Sequence, residues 1–120
     1  MILPPMPVVL VDARNVMRSR WPNIRASTLV ELTREWAERE GVHPVIVFDG
    51  PAPRERPEGI EIYGTYGESA DDWIVREAER LFDEGRRIWV VTSDRGLRAR
   101  AAPYVERTIG GGTFAGELGR

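Results

Sequence analysis

Cysteine and lysine are both missing from this 120-residue chain, and histidine occurs once, at His43. The first absence excludes disulfides, thiolate zinc sites and cysteine nucleophiles. The second removes the P-loop lysine, Schiff-base chemistry and any lysine that would pair an aspartyl phosphate. No apolar run approaches the roughly 20 residues of a membrane span. The opening MILPPMPVVLVD has neither a basic n-region nor a small-residue cleavage site, so it does not read as a secretory signal. The expectation is one cytoplasmic domain over residues 1–120, with no membrane partner and room for a single sheet with helices packed on it.

Positive charge is supplied by arginine alone, 17 residues against 19 acids, for a net charge of −2. A simple basic-protein argument for nucleic acid therefore fails, but the distribution is uneven. Residues 13–25 hold Arg14, Arg18, Arg20 and Arg25 with no acid, and residues 95–107 hold Arg95, Arg98, Arg100 and Arg107 against Glu106 alone. Acids concentrate in residues 31–40 and 68–84. If the arginine blocks flank one cleft they suit a phosphate backbone; otherwise they are solvated surface.

The carboxylates are sorted as well. Five of the six aspartates, Asp12, Asp49, Asp71, Asp72 and Asp94, stand where an apolar run stops or a helix should begin, whereas most glutamates fall on amphipathic stretches or in polar loops. Short carboxylates at strand ends suit a divalent cation, because the backbone fixes their oxygens.

The runs Val8–Val11, Val45–Phe48 and Ile88–Val91 are unbroken apolar segments, as expected of strands buried on both faces. Ile60–Tyr63 and Tyr104–Ile109 are weaker, alternating candidates for the sheet edges. One helix is expected to open with a capping box at Thr28 and Glu31, bury Leu29, Leu32, Thr33 and Trp36, and stop at Gly41. A second should open at Ser69 with Asp72, bury Ile74, Ala78, Leu81 and Phe82, and stop at Gly85. A shorter helix should run from Arg95 to about Ala102, and residues 52–59 read as a surface loop.

This order predicts a central, mostly parallel, twisted sheet of about five strands with helices on both faces, an α/β class. Ligands bind such sheets beyond the carboxyl ends of the strands, where strand order reverses. Asp12, Asp49 and Asp94 should share that edge, and Asp71 and Asp72 can join them from a helix start. Each has an ordinary alternative. Asp71 and Asp72 favour a first helical turn in any case, worth about 0.3–1 kcal/mol each, and Asp94 suits an N-cap worth about 1 kcal/mol. A cluster is different: carboxylates about 5 Å apart repel by roughly 3 kcal/mol per pair at an effective dielectric near 20. It requires a cation, shared protons or arginine partners.

Two further features have two readings each, and a third has one. Gly110, Gly111 and Gly112 either expose backbone N–H groups at a helix start or form a turn needing positive φ. Trp73 either stacks on a base or packs against the 52–59 loop. His43, before Pro44 at the far end of a strand, reads as a surface or loop residue, which leaves Ser93 without a base and makes it a poor nucleophile.

The segments VVLVDARNV, VIVFDG, ESADDWI, VVTSDRGL and IGGGTFAGEL, in that order, resemble the YacP-like branch of the NYN domain family within the PIN-like nuclease superfamily. The resemblance covers nearly the whole chain and is most specific at Ser69-Ala70-Asp71-Asp72 and Thr92-Ser93-Asp94-Arg95. It implies a three-layer α/β/α sandwich, a magnesium- or manganese-binding acidic pocket, and cutting or processing of RNA. Residue by residue it puts the metal on Asp12, Asp71 and Asp94. Asn15, Asp49 and Asp72 lie close by as further catalytic candidates. One difference stands: the family usually opens Asp-Gly-Tyr-Asn, and this chain has Asp12, Ala13, Arg14, Asn15.

Mg²⁺ prefers oxygen ligands and keeps several waters, so three or four carboxylates with an open side suffice. Arg14, Arg18, Ser93, Arg95 and Arg98 are the candidate contacts to RNA, with Asn15 orienting a ligand or a phosphate oxygen. A metal-dependent ribonuclease, (endo)nucleolytic or otherwise, is the leading reading. A non-catalytic RNA-binding module is the alternative, favoured by the altered Asp12–Asn15 turn. An aspartyl-phosphate phosphatase of haloacid dehalogenase type fails on Arg14 two residues past Asp12, on the missing lysine, and on the Asp pair preceding the Thr-Ser-Asp strand end. A homodimer would lengthen the groove of so small a domain.

Overall fold

Alternation of side chains along the strands decides where the core of this protein sits. The computed structural model describes residues 5–119, so the first four residues of the amino-terminal stretch lie outside them. Strands β1 (Val8–Asp12), β2 (His43–Phe48), β3 (Glu61–Gly64), β4 (Ile88–Val91) and β5 (Arg107–Ile109) form one sheet in the order β3-β2-β1-β4-β5. All four pairings are parallel. The three apolar runs occupy the centre and the two weaker segments the edges, as their patterns predict.

Because side chains point alternately to the two faces, Val9, Val11, Ile46, Phe48 and Val91 pack on one side and Val8, Leu10, Val45, Val47, Ile88 and Val90 on the other. The first side is covered by α1 (Ala13–Arg18), α2 (Ala26–Glu40) and α5 (Gly111–Glu117), through Val16, Leu29, Trp36 and Phe114. The second is covered by α3 (Ala70–Asp83) and α4 (Arg95–Ala101), through Ile74, Ala78, Leu81 and Leu97. The result is an α/β/α sandwich of PIN-like form.

Some local expectations fail for physical reasons. Helix α2 begins at Ala26, with Arg25 as an N-cap whose side chain makes no capping bond, so Thr28 lies inside the helix and no capping box forms. Its other end is as expected, at Gly41 in the left-handed region with φ of 69°. In α3 the Ser69 hydroxyl accepts from the Asp72 N–H, the anticipated cap, but Phe82 is 51% exposed. Its position at the last turn carries it past the sheet, where it meets only the edge of Tyr104, at 5.7 Å between ring centroids.

Helix α1 was not among the expected elements, and α5 only as one of two readings of the triple glycine. The first has six residues, no acid in its first turn and no side-chain cap, so nothing in its sequence announces it. The second opens on the triple glycine and is held from outside itself: Phe114 is fully buried against the edge of Trp36, at 4.8 Å, and the Trp36 indole N–H donates to Glu117 at 3.0 Å. Tertiary packing overrides weak local propensity here.

The carboxyl edge of β2 and β3 is clasped by Thr65. Its N–H donates to the Phe48 and Gly50 carbonyls, at 3.1 and 3.0 Å, and its hydroxyl accepts from the Gly50 N–H at 3.2 Å. Gly64 makes this possible, because a Cβ there would lie 2.5 Å from the Gly50 carbonyl oxygen and 2.8 Å from the Ala52 nitrogen. Gly64→Ala is therefore expected to cost about 1–3 kcal/mol of stability. Urea denaturation measures it; an unchanged midpoint would show that the clasp has slack.

Candidate active site

Strand register brings the central site residues together. Val11 pairs with Val91, so Asp12 and Thr92 follow side by side at the carboxyl ends of β1 and β4. By parity both share the face of Leu10 and Val90, toward α3 and α4. The Thr92 hydroxyl donates to the Asp12 carboxylate at 2.9 Å and accepts from the Asp94 N–H at 3.1 Å. One fully buried hydroxyl thus sets the distance between two aspartates. Asp94 caps α4, its Oδ1 accepting from the Leu97 N–H at 2.8 Å. Asp71 enters from the first turn of α3, half-buried.

These groups line a cleft of about 310 Å³ with Arg14, Asn15, Arg18, Asp49, Ser69 and Ala70. Asp12, Asp49, Asp71 and Asp94 do converge, as topology predicts. Asp72 does not: it is exposed and pairs with Arg100 at 2.8 Å, which joins α3 to α4 outside the cleft. Asp49 lies in the cleft but pairs with Arg14 at 3.2 Å. Among the described residues Asp12, Asp71 and Asp94 have no basic side chain in an ion pair.

That imbalance shows in the acidities. Burial raises the Asp12 carboxyl above its ordinary value of 3.8; the Thr92 hydroxyl and Asn15 backbone oppose it, while Asp71 and Asp94 add to it. Burial also raises Asp71, with Asp94 the next largest cause and the Arg100 guanidinium opposing. Among the described residues, no three or more His, Cys, Asp or Glu side chains stand close enough together to hold a metal ion as they are placed.

The other expected contacts divide. The Asn15 Oδ1 accepts from the Ser93 N–H at 2.9 Å, leaving its amide nitrogen available at the cleft. The Ser93 hydroxyl accepts from the Gly111 N–H at 2.8 Å, so this side chain braces α5. Arg95 is exposed at the start of α4; Arg98 is anchored by its Nε on the Thr92 carbonyl at 2.9 Å. None of Gly110, Gly111 and Gly112 has positive φ. Gly111 is required instead by closeness, since a Cβ there would lie 2.1 Å from the Asn15 Oδ1. The triple glycine thus forms the helix start of the first reading and not a turn with positive φ, although the Gly111 N–H is already taken by Ser93.

Trp73 stacks obliquely on Tyr63, with ring centroids 4.8 Å apart, which accounts for it without a base or the 52–59 loop. His43 sits at the far end of the sheet, hydrogen-bonded to Glu61. Sequence reasoning missed the two arginine pairs and the structural part played by Thr92. The apolar run ending Val-Val-Thr carried a signal for the latter, because parity past β4 turns Thr92 toward Asp12.

Residues 9–103 match the YacP-like NYN domain. The chain belongs to this family. Two crystal structures of Rae1 (YacP) from Bacillus subtilis are similar to this NYN domain with a TM-score of 0.75. One, a W164L mutant, is 23% identical and the alignment covers 93% of this chain and 74% of that one; the other is 21% identical, covering 93% and 73%. The T5 D15 protein, co-crystallised with metal ions, is similar at a TM-score of 0.60 and 13% identity, covering 85% of this chain and 54% of that one. At these identities the structures show a shared α/β fold. No curated protein matches the chain. Among the described residues no helix is long and apolar enough to cross a membrane.

Two predictions follow from the carboxylate and glycine contacts. A carboxyl raised in the folded state penalises folding once it ionises. The penalty is absent below the unfolded value, grows as pH rises toward the folded pKa, and is constant above it. Asp12→Asn keeps an acceptor for Thr92 and removes the charge, so in EDTA its Tm should exceed wild type at pH 7, with the gap closing near pH 4. A lower Tm at pH 7 would mean the charge is compensated. Gly111→Ala should push Asn15 off the Ser93 amide at a cost of about 1–3 kcal/mol, read from a denaturation midpoint.

Proposed function

We propose that this NYN domain is a metal-dependent ribonuclease whose Mg²⁺ or Mn²⁺ is held by Asp12, Asp71 and Asp94. One observation carries the reading: three carboxylates without basic partners among the described residues face one cleft on a YacP-like NYN domain. The donors are of the kind such an ion takes: hard oxygens, with Asp12 and Asp71 both raised by burial and by neighbouring carboxylates, in a cleft with volume for the waters Mg²⁺ retains. As placed, no three of them are close enough to hold it, so binding would draw them together. The likeness to a protein co-crystallised with metal ions supports it.

When bound, a divalent cation lowers the pKa of water and offsets charge developing on a phosphate. The chain supplies the positioning. Thr92 and the α4 cap hold Asp12 and Asp94 in register, and Arg100, through Asp72, steadies the first turn of α3 beside Asp71. Asn15, fixed at its oxygen by Ser93, offers N–H donors to a phosphate oxygen. Arg14 and Arg18 meet the strand on the β1–β2 side of the cleft, with Arg95 and Arg98 on the α4 side. Asp49, paired to Arg14, tempers that arginine and can orient water. RNA is the partner, and the cytoplasm the compartment this reading requires.

A second reading, RNA binding without cutting, is favoured by the Arg14–Asp49 pair, which places a guanidinium in the acidic cleft. Labelled single-stranded RNA with Mn²⁺ or Mg²⁺ separates the two. Cutting is expected, EDTA should stop it, and Asp94→Asn should lower the rate at least about 100-fold, more than a residue behind the ligands would. Asparagine caps a helix as well as aspartate does, so the variant should stay folded. Cutting that survives EDTA or this variant contradicts the nuclease; RNA bound and left intact by the wild type selects the second reading.

A further inference from the structure

Of the large apolar side chains among the described residues, Trp21 is the one most open to solvent, at 92%, against 78% for Tyr66 and 51% for Met6 and Phe82. Tryptophan is among the most buried residues on average, and an indole held in water forgoes the burial that would stabilise the fold. The other three tryptophans behave ordinarily: Trp36 packs in the core, Trp73 lies on Tyr63, and Trp89 lies under Arg107 and donates to Glu106. Trp21 stands apart from all of them.

Its place is specific. Helix α1 leaves the carboxyl edge of β1, and α2 starts at that same edge before running back to β2, so the intervening loop, residues 19–25, sits on the rim of the cleft. Arg18 lines the acidic cleft. Met17, Arg18 and Asn23 line an adjoining hollow of about 260 Å³, which shares Arg14, Arg18 and Asp49 with the cleft. Trp21 lines neither hollow; it stands exposed in the loop between Arg18 and Asn23, which do. The segment from 13 to 25 carries Arg14, Arg18, Arg20 and Arg25 and no acid.

We propose that Trp21 is a stacking platform for an unpaired base, and that the arginines around it hold the flanking phosphates, so the groove takes single-stranded rather than duplex nucleic acid. An exposed indole offers a π-face to any base, and stacking is available only to bases not already stacked and paired in a helix. Charge favours a polyanion here and not at the other exposed rings. Tyr66 has Glu68, Asp71 and Asp72 close behind it in the chain, and Phe82, at the far end of α3, has Asp83 and Glu84 beside it as well as Arg86 and Arg87, the latter paired with Glu106. The proposal rests on the nucleic-acid reading of the cleft but not on cleavage.

The test is fluorescence anisotropy of labelled 12-nucleotide single strands and of a hairpin duplex of the same length, in EDTA and in Mg²⁺, with strand integrity checked on gels. Wild type should prefer the single strand. Trp21→Ala should weaken that binding about 10-fold, Trp21→Phe should restore most of it, and Phe82→Ala should change nothing. Neither Trp21 variant should alter duplex binding or Tm. Equal binding by Trp21→Ala and wild type, or no binding of any strand by wild type in either buffer, overturns the platform. A dimer seen by light scattering that Trp21→Ala dissolves also overturns it, since the indole would then cover a second copy. Binding that depends on Trp21 without any cutting in Mg²⁺ or Mn²⁺ supports the platform and sinks the nuclease, so the two claims fail separately.

Discussion

A carboxylate buried to 6% exposure at the end of a central strand, with no basic partner among the described residues, is the constraint around which the functional edge is arranged. Asp12 cannot be solvated there as it would be in water. The Thr92 hydroxyl answers part of that need, and the same hydroxyl accepts the Asp94 N–H. From Asp94 the chain turns into α4; from Ser93 it reaches Asn15 and α5. The hydrogen bonds that stabilise Asp12 thus also bring its neighbours, some of like charge, to the cleft. That arrangement is costly for a metal-free fold and useful for one that binds a cation.

Arginine divides the remaining acids. Arg14 pairs with Asp49 and Arg100 with Asp72, and these exposed pairs contribute little stability of their own. Their effect is selective: two of the five sorted aspartates are compensated and three are left. Charge is therefore concentrated on Asp12, Asp71 and Asp94 even though the molecule as a whole is nearly neutral.

What could be read from the chain follows from the range of each interaction. The central strands were legible because continuous β-branched runs need burial on both faces, and that alone placed Asp12 and Asp94 on one edge. Ser69 announced α3 because its capping bond spans three residues. Helix α1 was not legible and α5 only as one of two readings of its glycines, since Val16 and Phe114 gain their stability from residues remote in sequence. For the same reason the pairs Arg14–Asp49 and Arg100–Asp72, separated by 35 and 28 residues, left no local trace. The aromatic residues were half legible: packing was one of the two readings of Trp73, though its partner is Tyr63 and not the 52–59 loop, whereas Trp21, in a loop with no periodicity to place it, stands in solvent.

The central claim is that Asp12, Asp71 and Asp94 together hold a divalent cation. A crystal soaked in Mn²⁺ and measured at the manganese absorption edge tests it without reference to any substrate. The account predicts an anomalous peak within coordinating distance of all three carboxylates, about 2.0–2.6 Å for oxygen ligands of hard cations, lost in Asp12→Asn. A cleft without a peak, or a peak bound by Asp49 and Asp72 in place of these three, would contradict it.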